Sequence, residues 1–131
     1  MKAFDNPIYL EDVARIAALP VDWNRFSGKT VALSGATGMI GSCFVDVLMK
    51  KNSEGLGCRI IAFGRSASKA AARFASYKDN GLFRFAEQDM NIPFSLDEKA
   101  DFVLHLASNT HPVAYSTDPI GTITTNIIGT Q

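Results

Sequence analysis

The sequence predicts an α/β fold, a doubly wound parallel β-sheet covered on both faces and preceded by a helical extension. Three observations support this prediction. Short, almost continuously apolar runs alternate with segments of helical periodicity from residue 30 onward. A glycine-rich turn separates the first apolar run from the first of those helices. The length of 131 residues suits one domain and is too short for two.

Composition excludes several classes of protein. The chain is 47% hydrophobic and 20% charged, as in ordinary globular proteins, and its 13 basic and 13 acidic side chains give a net charge of zero. That balance argues against binding to nucleic acid or to an anionic membrane, and no apolar run approaches the roughly 20 residues that span a bilayer. The two cysteines, Cys43 and Cys58, suit a reducing compartment, and neither has a histidine at metal-ligand spacing. We therefore expect a cytoplasmic protein without a metal, nucleic-acid or membrane partner.

Residues 1–28 are predicted to form a helical extension, and residues 29–131 the main domain. Between Asn6-Pro7 and Pro20, apolar residues recur at helical spacing: Ile8, Leu10, Val13, Ile16, Ala17 and Leu19. An amphipathic helix that covers an edge of the domain explains this pattern. The alternative is a helix that docks a partner.

The main domain is predicted to alternate strands with helices. Apolar runs predict strands over residues 30–34, 59–63, 82–86 and 101–106, and helical periodicity predicts helices over residues 39–51 and about 67–76.

The last segment predicts one more helix. Thr117-Asp118-Pro119 combines a capping side chain with proline at the first helical position, and the apolar residues Ile120, Ile123, Ile127 and Ile128 follow. The sequence stops at Gln131 without a helix-ending signal, so we expect an N-terminal piece of a longer protein.

The glycine-rich turn runs from Ser34 to Gly41, directly after a predicted strand and at the start of a helix. Gly35 permits a tight turn, Gly38 lets a pyrophosphate approach the backbone, and Gly41 lets the helix pack closely on the strand. The first amides of the helix and its dipole then attract the phosphates. This arrangement is typical of a Rossmann-type site for NAD or NADP. The alternative is a glycine-rich turn without a ligand.

The end of the second predicted strand favours NADP over NAD. NAD-selective enzymes place an acidic residue there to hold the ribose 2′-hydroxyl, but this sequence has Gly64-Arg65-Ser66. Arg65 offers a guanidinium suited to a 2′-phosphate, and Ser66 and Lys69 could assist in binding it. The alternative is that Arg65 is only a solvated residue after a strand.

The glycine turn, together with His105-Leu106-Ala107-Ser108 at the end of the fourth strand, resembles the extended short-chain dehydrogenase/reductases, which include nucleotide-sugar epimerases and dehydratases. Residues 89–94 and 111–130 are most similar to UDP-glucuronate decarboxylases, which carry a similar Pro-x-x-Tyr-x-x-x-Pro followed by Thr-Asn-x-x-Gly-Thr. The resemblance spans about residues 29–131. It departs at Gly64-Arg65, where those enzymes usually have an acidic residue.

The resemblance implies roles for particular residues. Those that would hold the pyrophosphate are Gly35, Ala36, Thr37, Gly38, Met39, Ile40 and Gly41. The nicotinamide-ribose side would be lined by Leu106, Ala107 and Ser108. Asp89, followed by Met90, would accept a hydrogen bond from the adenine amino group, the alternative being a turn-forming aspartate.

Further roles follow from the same resemblance. Pro112 and Tyr115 would lie near the sugar of the substrate, although Tyr115 is equally explained as a packed aromatic. Asn126 would position backbone, and His105 is expected to be a hydrogen-bonded core residue. The helix that begins at Pro119 would form a homodimer interface.

The resemblance implies an enzyme that transiently oxidises C4 of a nucleotide sugar and so permits decarboxylation, elimination or epimerisation. Two alternatives remain, an NADPH-dependent reductase and a catalytically silent dinucleotide sensor. Catalysis in this superfamily needs Tyr-x-x-x-Lys, and none of the 3 tyrosines has a lysine four positions later. We therefore expect no catalytic residue within this chain.

Overall fold

A computed structural model describes residues 5–109 and 111–131 of the chain. The strands are β1 (Thr30–Ser34), β2 (Arg59–Gly64), β3 (Phe83–Glu87) and β4 (Phe102–His105). The helices are α1 (Pro7–Ala17), α2 (Met39–Ser53), α3 (Ala67–Arg73), α4 (Pro112–Thr117) and α5 (Pro119–Ile127). Short 3₁₀ turns lie between these elements at Trp23–Phe26 and Ala75–Tyr77 and after α5 at Ile128–Thr130.

The four strands form one parallel sheet in the order β3-β2-β1-β4. Val31 in β1 pairs with Ile60 on one side and with Phe102 on the other, so β1 is central. The chain winds from β1 toward β2 and β3 and then returns to place β4 on the opposite side. This reversal opens a crevice at the carboxyl ends of β1 and β4, where open α/β sheets bind ligands. The α/β fold class predicted from the sequence is confirmed.

Helices α2 and α3 cover one face of the sheet. Val31, Leu33 and Ile60 have no exposed surface, and they form a core with Val45 and Leu48 of α2. Helix α3 adds Ala70, which is 2% exposed. The apolar strands thus obtain the cover that a parallel sheet requires.

The second face is covered by irregular chain. Ala32, Ile61 and Phe63 pack there against side chains from the connection between β3 and β4, namely Met90, Leu96 and Ala100. Residues 88–101 contain Pro93 and form neither helix nor strand, because their apolar residues lack helical spacing. Val103 on the edge strand β4 remains 73% exposed.

Helix α1 lies on the outer side of α2. Val13 and Ala17 pack against Val47 of α2 and are nearly inaccessible to solvent. Ile8 and Leu10 point outward and are 70% and 55% exposed.

A buried polar cluster, which we call the Asp46 cluster, joins α1 to the rest of the domain. Asp46 is 6% exposed, and its carboxylate accepts hydrogen bonds from Tyr9 of α1, Arg73 of α3 and Tyr77. The Tyr77 bond to Asp46 Oδ1 measures 2.8 Å, and Arg73 also donates to the Tyr9 hydroxyl at 2.9 Å. Burial and the adjacent Asp46 carboxylate raise the pKa of both tyrosines well above the ordinary value. Three helices therefore meet at one carboxylate.

Two helical predictions need correction. The helix predicted to reach about residue 76 ends at Arg73, because Phe74 turns into the core, where it packs against Phe83 at 5.0 Å between ring centroids. Helix α4 was not expected. His111 caps this helix by accepting a hydrogen bond from the Val113 amide at 3.3 Å.

Candidate functional site

A cleft of about 520 Å³ lies at the carboxyl edge of the sheet. The glycine turn after β1 forms its floor, and the ends of β2, β3 and β4 form its walls. All the predicted cofactor-binding residues except Ala36 and Ser66 line this cleft. Residues that come from four separate strands are therefore brought together, although their assignment to a cofactor stays a prediction.

The three glycine positions of the turn differ in how strictly steric contacts require glycine. Gly35 has φ +67°, and a Cβ there would lie 2.6 Å from the Leu106 carbonyl carbon. A Cβ on Gly41 would collide with the Gly35 oxygen, so only glycine lets α2 start this close to β1. A Cβ on Gly38 would lie 3.2 Å from the Gly35 oxygen, and Gly38 has a φ of −74°. The fold itself therefore requires Gly35 and Gly41 more strictly than Gly38.

Helix α2 begins without a side-chain cap. The other four α-helices each start with a side chain that accepts a backbone amide proton: Asn6, Ser66, His111 and Asp118. Gly38 at the start of α2 has no such group, so no side chain in the described ranges caps the first amides of this 15-residue helix, which begins in the cleft lining. The positive end of the helix dipole lies in the same place. The arrangement fits an anionic ligand such as a pyrophosphate.

Positive charge lies at the end of β2. Arg65 and Lys69 line the cleft, and neither side chain has a hydrogen-bond or ion-pair partner in the described part of the chain. Ser66 instead caps α3, since its hydroxyl accepts the Lys69 amide proton at 3.3 Å. A Cβ on Gly64 would lie 3.3 Å from the Phe85 ring, so the strand end is closely packed at that point. The two free cations are placed to meet an anion.

Asp89, two residues after β3, fits both interpretations, a turn-forming aspartate and an acceptor for the adenine amino group. Its Oδ1 accepts hydrogen bonds from the Asn91 amide at 2.9 Å and from Asn91 Nδ2 at 3.0 Å, which forms a turn. Asp89 also lines the cleft beside Met90, and Oδ2 has no partner within residues 5–109 and 111–131. Asn91 Oδ1 is buried in the same wall without a hydrogen-bond partner there. One oxygen of the Asp89 carboxylate and the buried amide oxygen of Asn91 therefore have no partner in the described residues of this wall.

A chain of hydrogen bonds orders the end of β4. Ser34 Oγ accepts the amide protons of Leu106 and Ala107 at 3.1 and 3.2 Å. Its own proton is therefore donated to His105 Nδ1, 2.8 Å away. His105 Nε2 in turn donates to the Thr125 carbonyl of α5 at 3.1 Å. His105 is thus half-buried with both ring nitrogens hydrogen-bonded, and it positions backbone that lines the cleft.

Helix α5 is fastened to the same edge through Asn126. Asn126 Nδ2 donates to Ser108 Oγ at 3.1 Å and to the Thr122 carbonyl at 2.8 Å. Thr125 reaches the cleft wall, where its hydroxyl accepts from Asn91 at 3.2 Å.

Four predicted site residues lie outside the cleft lining. Ala36 is completely buried, and its amide donates to the Phe63 carbonyl at 3.1 Å, which anchors the turn to β2. Pro112 and Tyr115 lie in α4, with Tyr115 50% exposed, and Ser66 caps α3.

Four lining residues were missed: Gln88, Asn91, Asn109 and Thr125. Gln88, Asn91 and Asn109 directly adjoin predicted residues after β3 and β4, whereas Thr125 reaches the cleft from α5 through its contact with Asn91.

No helix in the described ranges is long and apolar enough to cross a membrane. Within the same ranges, no three His, Cys, Asp or Glu side chains are grouped so as to hold a metal ion.

Comparisons with known proteins identify the family. UDP-glucuronic acid decarboxylase 2 of Arabidopsis thaliana is 30% identical over 125 residues, which cover 92% of this chain and 26% of that protein. UDP-glucuronic acid decarboxylase 4 of the same plant is 30% identical over 100 residues, which cover 76% of this chain and 21% of that protein. The chain thus spans about a quarter of the length of these relatives.

Solved structures share the fold. The protein Pen from Bacillus thuringiensis superimposes with a TM-score of 0.65 at 24% identity, over 81% of this chain and 32% of that one. A short-chain dehydrogenase/reductase, glucose/ribitol dehydrogenase, from Brucella melitensis has a TM-score of 0.62 at 20% identity, over 80% of this chain and 48% of that one. Residues 31–131 match the NAD dependent epimerase/dehydratase family. The chain belongs to this family.

Proposed function

We propose that residues 29–131 are the NAD(P)-binding part of a nucleotide-sugar epimerase, dehydratase or decarboxylase. The observation that carries the proposal is the uncapped start of α2 beneath a cleft at the point where the strand order reverses. Family membership implies NAD(P) binding, and the named relatives are UDP-glucuronic acid decarboxylases. The nucleotide-sugar class of substrate is inferred from those relatives.

Within this proposal, residues 34–41 hold the pyrophosphate. Asp89, beside Met90, accepts a hydrogen bond from the adenine amino group. Leu106, Ala107 and Ser108 line the nicotinamide-ribose side. The dinucleotide, when bound, supplies reversible hydride transfer, so that C4 of the sugar is oxidised and later reduced. Pro112 and Tyr115 are assigned to the sugar side.

NADP is the favoured cofactor. Arg65 and Lys69 present two unpaired cations to the cleft, and Gly64 contributes no carboxylate that would repel a 2′-phosphate. The same feature favours a second candidate function, a net NADPH-dependent reductase. A cofactor that ends each turnover in its initial redox state would distinguish the nucleotide-sugar enzyme from the reductase.

A homodimer through α5 is part of the proposal. Ile120, Ile123 and Ile127 are 74%, 56% and 60% exposed and form an apolar stripe on the helix. We also assign the protein to the cytoplasm, where Cys43 and Cys58 would stay reduced, since both are free thiols.

Titration calorimetry of the 131-residue chain with NADP tests the binding proposal. Gly38→Ala is the informative variant, because the added methyl needs only a small shift of the Gly35 oxygen but occupies the approach of the pyrophosphate. We expect at least about a tenfold loss of affinity from the lost backbone contacts. Gly81→Ala is the matched control, since nothing lies within 4 Å of a Cβ there. A folded Gly38→Ala chain that binds NADP as tightly as the control would refute the proposal.

A further inference from the structure

The end of β2 lacks an acidic residue, but an acidic side chain reaches this region from the neighbouring strand. Glu87 is the last residue of β3 and pairs in register with Gly64. Its Oε1 accepts the amide proton of Ala67 at 3.1 Å, so the carboxylate lies against the segment that carries Arg65. A negative charge therefore stands beside the cations assigned to the 2′-phosphate.

This charge is not neutralised by the neighbouring cations. Arg65 and Glu87 form no ion pair with each other, and Oε2 of Glu87 has no partner in the described ranges. Glu87 is solvent-exposed and makes its one hydrogen bond to the backbone. Arg65 lines the cleft, and Glu87 lies just outside the lining residues, next to Gln88, so both charges stand close to a ligand bound at this end.

We propose that Glu87 is a specificity-determining residue that limits the preference for NADP set by Arg65 and Lys69. The inference rests on the proposed dinucleotide site. An ionised 2′-phosphate carries up to two negative charges and repels a carboxylate, whereas a 2′-hydroxyl is neutral and donates a hydrogen bond to it. Glu87 thus acts from β3 as the acid that Gly64 does not supply, and it keeps NAD usable.

Two small probes isolate the effect of the phosphate, since 2′,5′-ADP and 5′-AMP differ only at the ribose 2′ position. Their dissociation constants are measured for the unmodified chain and for Glu87→Gln, which keeps an oxygen for the Ala67 amide. We expect the ratio of affinities to change about three- to tenfold in favour of 2′,5′-ADP, with the larger change at low salt. Glu87→Ala should shift the ratio in the same direction and provides a second variant.

The matched control is Glu98→Gln. Glu98 is paired with Arg59 and Arg84 near the amino ends of β2 and β3, at the opposite edge of the sheet. The Glu98→Gln substitution removes the same charge and should leave the ratio of the affinities for 2′,5′-ADP and 5′-AMP unchanged. An unchanged ratio in both Glu87 variants, or an equal change in the control, overturns the inference. If no form of the chain binds either probe, the proposed dinucleotide site is itself refuted.

Discussion

Replacing the partly buried Arg73 by methionine should destabilise the domain more than the loss of any solvent-exposed charge. Arg73 donates to Asp46 and to the Tyr9 hydroxyl, and its guanidinium stacks 5.2 Å from the centroid of the Phe74 ring. The side chains of Arg73 and Asp46 are only 15% and 7% exposed. Methionine preserves the apolar contacts but leaves the Asp46 carboxylate buried without its counter-ion.

The magnitude follows from what remains around Asp46. Breaking a buried ion pair by removing one partner costs about 3–5 kcal/mol. The hydroxyls of Tyr9 and Tyr77 still donate to the carboxylate, so the lower limit, about 3 kcal/mol, applies. Arg15→Met is the matched control, because Arg15 pairs with Asp12 at side-chain exposures of 76% and 48%. Its cost should stay below about 0.5 kcal/mol.

Urea unfolding followed by Trp23 fluorescence measures both variants. Trp23 is the only tryptophan and packs against both the α1–α2 contact and the main core. The double variant Asp46→Asn, Arg73→Met removes the buried charge and should recover part of the lost stability. Equal free energies of unfolding for Arg73→Met and Arg15→Met would show that the Asp46 cluster does not hold the helices together.

Three further predictions concern the cofactor, the pH dependence of stability and self-association. Arg65→Ala should reduce the preference for NADP over NAD about tenfold in calorimetric titrations, because a guanidinium–phosphate pair is lost, and equal affinities in the unmodified chain would contradict this. Burial, aided by the Asp101 charge, raises the pKa of the Cys58 thiol from about 9 to about 11. The thiol therefore loses its proton at lower pH in the unfolded state than in the folded state. The free energy of unfolding should fall as pH rises from 9 to 11, by up to about 2 kcal/mol. Cys58→Ala should remove that part of the fall in urea titrations, and an unaltered pH profile would refute the assignment. Sedimentation velocity should show concentration-dependent self-association that Ile123→Lys and Ile127→Lys abolish, and a chain that stays monomeric at high concentration would count against the stripe.

The glycine turn and the strands could be predicted because their signals are local. Gly35 and Gly41 lie within seven residues of each other, and each one answers a backbone requirement that the spacing already expresses. Asp118 before Pro119 likewise predicts the start of α5, and the structure has Asp118 Oδ1 accepting the Gly121 amide proton at 2.9 Å. Capping and tight turns depend on neighbours in sequence.

The Asp46 cluster and part of the cleft wall could not be predicted, because their partners are distant in sequence. Asp46 stands inside an apolar helical run, and its partners Tyr9 and Arg73 are 37 and 27 residues away. Thr125 meets Asn91 across 34 residues. Helix α4 is short and carries no apolar periodicity, so only the Pro112 position hinted at its start.

Amide chemical shifts report directly whether the pyrophosphate of NAD(P) binds at the start of α2. A ¹⁵N-labelled chain is titrated with NADP, and the backbone amides are followed by NMR. We expect the largest shifts at residues 37–41, with further changes at Arg65 and Ala107 in the cleft walls. Saturable shifts confined to other residues, or no shifts at millimolar NADP, would contradict this expectation.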